Sequence, residues 1–124
     1  MNDTNEKGNS MNKLIKDMTN EELADLFKSL DDYCDFDKVA LKLASRPDVH
    51  AMIVLDRLCP NLQNYSLQPM IECVRSSHVW YTADTERFKQ VATLGIVHDL
   101  VRCGLCYSSE KDRFFFISSG ELTA

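Results

Sequence analysis

The stretch RCGLCYSSEKDRFFFISSG, residues 102–120, constrains the fold of this chain more than any other. An apolar helical run ends on a glycine, the residue best suited to leave a helix through a left-handed turn. Two short segments then flank a polar tip. The order reads as a helix end at Cys103, Gly104, a strand Leu105–Ser108, a turn over residues 109–112 and a strand Arg113–Ile117. Side chains alternate along a strand, which sends Phe114 and Phe116 to one face and Phe115 to the other. A hairpin with aromatics on both faces needs cover on both. A helix over residues 21–33 is the expected cover for the second face; without it, Phe115 is an exposed aromatic anchor for a protein partner.

That helix has the clearest start in the chain. Thr19 followed by Glu22 forms a capping box, and Leu23, Leu26, Phe27, Leu30 and Tyr33 recur at the spacing of one buried helical stripe. Residues 34–60 predict two short helices. Asp35 caps the first, which buries Phe36, Val39, Ala40 and Leu43; Pro47 opens the second and Pro60 closes it. A loop follows to Pro69. Residues 70–82 predict a short helix through Met70, Cys73 and Val74, then an extended HVWYT segment. Beyond the cap Asp84 the apolar face moves: Phe88, Val91 and Ala92 lie opposite Leu94, Val97, Leu100 and Val101. Either one helix is buried on two sides, or it breaks near residues 93–95 into a helix-turn-helix-like pair.

A chain of 124 residues, 44% of them hydrophobic, has room for one core and not for two. The expected class is therefore α+β and mostly helical, with about five helices and a C-terminal β-hairpin. Residues 13–124 form a single domain behind a disordered tail at 1–12. The first ten residues lack an apolar signal core and the longest apolar run is AMIVL at 51–55, so neither signal-directed secretion nor a membrane span is expected. Five cysteines, at 34, 59, 73, 103 and 106, have no disulfide-scaffold rhythm and fit a reducing, cytoplasmic setting. The net charge is −5, with 12 acids against 8 bases in residues 1–68 and 7 against 6 in residues 69–124. Neither half carries the basic stripe of a dedicated DNA-binding domain.

The chemical leads are few. A thioredoxin-like C-x-x-C opens a helix, whose dipole lowers the thiol pKa, whereas Cys103 and Cys106 close one. Zinc needs a second knuckle, for which Cys73 with His78 is the available pair. Packing as small apolar side chains is the simpler reading of both cysteines, and neither a metal nor another cofactor is expected. DDYCDFD sets four aspartates in seven residues without the glycine and glutamate of an EF-hand loop. One or two of these acids serve as caps; together Asp31, Asp32, Asp35 and Asp37 offer an acidic patch for a basic partner. His50, His78 and His98 occur singly, and no motif of a known catalytic class is present, so no catalytic residue is assigned.

Residues 94–123, LGIVHDLVRCGLCYSSEKDRFFFISSGELT, resemble the recognition helix and wing of winged-helix regulators, in which an apolar helix ends in a Gly-Leu step before the wing. The resemblance implies a winged-helix-like C-terminal half and a DNA-binding transcription regulator. His98 and Arg102 on the helix, with Lys111 and Arg113 on the wing, would then touch nucleic acid. Yet the helix offers the mixed set His98, Asp99 and Arg102, and the tip SSEKDR balances two acids with two bases, where a DNA reader is richer in Arg and Lys. Binding without catalysis is the leading expectation. It describes a regulator or inhibitor of the small acidic kind that phages and mobile elements encode. Its partner is a protein, such as a nucleic-acid-handling complex; DNA is the less favoured alternative.

Overall fold

The capping box forms as the sequence predicts. In the computed structural model, which describes residues 14–59, 71–75 and 77–117, Thr19 Oγ1 accepts from the Glu22 amide at 3.1 Å. Glu22 Oε1 accepts in return from the Thr19 amide at 2.8 Å. The expected tail at 1–12, the loop over residues 60–69 and Met70 lie outside the described residues. Helix α1, Asn20–Ser29, buries Leu23, Ala24, Leu26 and Phe27. It stops short of Leu30 and Tyr33, because Leu30 turns extended and Asp32 and Cys34 adopt left-handed φ of 71° and 62°.

The helix expected after Asp35 is absent. A single 3-10 turn, Phe36–Lys38, stands in its place, and no side chain of Asp35 caps it. Of the residues assigned to that buried face, Val39 is fully buried and Phe36 packs edge-on against His50 at 5.6 Å, whereas Ala40 is exposed. The irregular segment is held instead by His50, whose Nδ1 accepts from the Leu43 amide at 3.0 Å. Burial pushes the His50 pKa below its ordinary value, which keeps that nitrogen free to accept. Helix α2, Pro47–Leu58, begins at its proline and buries His50, Ala51 and Leu55.

The largest correction concerns residues 71–75, which form a strand rather than a helix. β1, Ile71–Arg75, pairs antiparallel with β2, His78–Tyr81, around a turn in which Ser77 has φ 65°. Helical spacing across only five residues cannot outweigh a β-rich partner, since sheet pairing is decided by the neighbour strand as much as by the segment itself. Helix α3, Thr85–Val91, and helix α4, Leu94–Arg102, are separate: Ala92 is extended, and the Thr93 hydroxyl accepts from the Ile96 amide at 3.2 Å as a new N-cap. The shift of apolar face in the sequence is this break. Lys89 on α3 is buried and donates to Asn20 Oδ1 at 2.9 Å, pinning α3 to the start of α1.

Cys103 leaves α4 with Gly104 at φ 94°, and the hairpin follows as predicted: β3, Leu105–Ser108, and β4, Arg113–Ile117. This hairpin does not stand alone. β4 pairs antiparallel with β2, giving one four-stranded sheet in the order β1-β2-β4-β3. The protein is thus α+β, with four α-helices among the described residues rather than about five, and with two hairpins rather than one. Tyr81, Leu105, Tyr107 and Phe114 on one face of the sheet share a core with Leu23 and Phe27 of α1, Phe88 of α3 and Leu100 of α4. Among the described residues, no helix is long and apolar enough to cross a membrane.

Candidate functional site

Strand alternation and register together assemble a second cluster on the sheet face away from that core. Residues opposite each other in antiparallel pairs share a face, so Cys73, Trp80, Phe115 and Cys106 form one row across all four strands. The Trp80 and Phe115 rings lie 4.7 Å apart, and His78 stacks at 5.8 Å from Trp80 and 4.9 Å from Phe115. The α1 helix does not cover Phe115, since Phe27 packs on Phe114 and Tyr107 of the opposite face. Phe115 is half-buried by its own row, and Trp80 is only 9% exposed.

Lys111 and Arg113 approach this row from the hairpin tip. Lys111 Nζ sits 5.7 Å above the Trp80 ring, and Arg113 Nε donates to Glu72 Oε1 at 2.9 Å. With Cys73 and Arg75 they line a pocket of about 330 Å³, whose rim holds three cations and one carboxylate. Phe115, Lys111 and Arg113 were legible as candidates and His78 only as a zinc ligand beside Cys73, whereas Trp80, Arg75 and Glu72 were not. Their signal was the alternation in HVWY, which places His78 and Trp80 on one face once the segment is read as a strand.

The acidic stretch and the candidate DNA-reading helix turn out to face each other. Asp32 lies 3.0 Å from Lys38 Nζ and 3.6 Å from both Arg102 and His98. Asp35 adds a contact to Lys38 at 3.5 Å, His98 Nε2 is 3.1 Å from the Asp31 carbonyl, and Arg102 also pairs with Asp99 at 3.1 Å. Asp31 and Asp37 remain exposed. Residues read as two separate surfaces are therefore one internal charge network joining α4 to the Asp31–Lys38 turn.

The hydrogen bond from Lys38, helped by Arg102 and His98, holds the Asp32 carboxyl below its ordinary 3.8. A carboxyl depressed in the folded state adds stability above its unfolded pKa and loses it as pH falls through the lower folded value. Urea denaturation should accordingly show Asp32→Asn less stable than wild type above pH 3.8, with the two converging below it. A gap independent of pH would contradict the network.

The C-x-x-C residues part company. Cys103 is buried toward the core, and burial pushes its thiol up to about 12. Cys106 points to the other face, where its sulfur lies 3.6 Å from the Tyr33 hydroxyl, and burial raises its pKa as well. Both shifts oppose formation of a reactive thiolate. Cys73 and Cys106 sit on opposite edges of the sheet, three strand spacings or about 14 Å apart, too far to ligate one metal. Among the described residues no three His, Cys, Asp or Glu side chains come together as a metal site. The chain matches no protein-family model, no curated protein and no solved structure.

Proposed function

We propose that this protein is a non-catalytic regulator or inhibitor that docks a protein partner on the outer face of its sheet, around Trp80 and Phe115. The observation that carries this reading is the aromatic row His78, Trp80 and Phe115, rimmed by Arg75, Lys111 and Arg113 and set apart from the core. Trp80 itself is largely covered and backs the row, so the groups it leaves for a partner are the half-buried Phe115 and the surrounding arginines, aromatic and arginine side chains being frequent interface anchors. Ile117 continues the face and is half exposed, which extends its apolar area to the end of β4. The acidic stretch contributes less than its composition promises, because Asp32 and Asp35 are engaged within the chain.

A DNA-binding regulator is the second reading, favoured by the α3–α4 pair running into a hairpin as in the winged-helix resemblance. Against it, the candidate contacts on the helix are engaged within the chain, since His98 and Arg102 face Asp32. The hairpin is also half of a larger sheet rather than a projecting wing.

In-cell photo-crosslinking separates the two. With p-benzoylphenylalanine at Ile117, irradiation should yield a discrete protein adduct, while the same group at Asp37 should yield none. Adducts arising only from position 37 would contradict the docking face, and adducts to nucleic acid from position 117 would favour the regulator reading.

A further inference from the structure

The pocket beside Trp80 has a charge opposite to that of the molecule around it. The chain carries −5 overall, yet the pocket rim holds Arg75, Lys111 and Arg113 against Glu72 alone. Arg75 and Lys111 enter no ion pair among the described residues. The Arg113–Glu72 pair is exposed on both sides, 41% and 43%, so water and other carboxylates can reach it. Glu72 shows what the pocket accepts: a carboxylate oxygen at 2.9 Å from a guanidinium nitrogen, the geometry of a charge-assisted bond.

We infer that this pocket is a carboxylate-binding site that receives an acidic, extended segment of the partner protein, an inference that rests on the docking face proposed above. Arg75 pairs across from His78, at the Ile117 end of the sheet, whereas Arg113 begins β4 at the opposite end. Four residues along the strands, about 13 Å, and two strand spacings across the sheet, about 10 Å, separate their backbones, a diagonal of about 16 Å. An extended segment crossing the face obliquely would bring its carboxylates within reach of both arginines, with Lys111 beside them and its other side chains against Phe115. Its acids would compete with Glu72 for Arg113. Single-stranded nucleic acid fits less well, because base stacking needs an open ring face and Trp80 is already covered by Lys111, His78 and Phe115.

Trp80 is the single tryptophan of the chain, so its emission reports directly on the pocket. The full-length protein is titrated with a short peptide of alternating Glu and Thr, a Lys/Thr peptide of equal length, and oligo-dT. Only the acidic peptide should give a saturable change that weakens with added salt. Arg75→Glu should reduce its affinity about tenfold, as expected for reversing one charge at a contact. Glu72→Gln, which frees Arg113, should raise affinity several-fold. Equal or tighter binding of the Lys/Thr peptide or of oligo-dT would overturn the inference, as would weaker acidic-peptide binding in Glu72→Gln. Absence of acidic-peptide binding, with the crosslink from position 117 still present, would refute the carboxylate site and leave the docking face standing.

Discussion

Replacing Phe114 by Ala is expected to remove about 3–5 kcal/mol of folding stability, the range for deleting a large aromatic from a closed core. Phe114 has no exposed surface and meets Phe88 at 4.9 Å, Tyr107 at 5.3 Å and Phe27 at 5.9 Å. It is the point where α1, α3 and the sheet converge, so no neighbour can collapse into the space without moving an element. A loss of that size takes up much of the stability of a domain this small. Phe115→Ala, one residue along, should cost markedly less, because its ring lies in the half-buried row on the other face. Urea denaturation of the two variants checks the assignment of faces. Equal losses would contradict it.

The second large effect is expected at Gly104. Its φ of 94° suits glycine, and a Cβ built there would sit 2.9 Å from Cys34 Sγ. Gly104→Ala therefore carries backbone strain of about 1–3 kcal/mol, to which the contact with Cys34 adds less, because the sulfur ends an exposed side chain that can rotate aside. The two parts are separable. Cys34→Ala removes the sulfur, so in the double variant the contact should vanish while the strain remains, leaving a coupling energy of about 0.5 kcal/mol. Purely additive losses would show that Cys34 does not rest on Gly104. The contact matters for the fold because the Cys34 amide also donates to the Val101 carbonyl at 3.1 Å, tying the turn after α1 to the end of α4.

What could be read from the sequence was what short-range chemistry decides. Thr19 and Glu22 are three residues apart, and their reciprocal bonds need nothing from the rest of the chain. The break at Thr93 was visible as a jump of apolar face, and the exit at Gly104 as a glycine after a helical run. The C-terminal hairpin was legible for the same reason. Residues 71–75 were not, because their conformation depends on β2, and β2 in turn is fixed by β4 more than 30 residues later. Trp80 became a site residue only through that long-range pairing, which sets it beside Phe115. Asp32 likewise meets His98 and Arg102, which lie on α4 far along the chain, so four clustered acids looked like a free patch when half of them were already partnered. Phe36 and Val39 suggested a helix, yet the His50 bond to Leu43 holds that segment as irregular chain.

The outer face of the sheet is the proposed seat of the partner. Amide hydrogen exchange of the protein alone and in complex with its crosslinked partner tests this most directly, since β1 is an edge strand of the sheet and residues 109–112 form a turn, so their amides can report a covering partner. Complex formation should slow exchange at residues 71–75 and 109–113 and leave residues 31–38 and α4 unchanged. Protection confined to residues 31–38 or to α4 would contradict it.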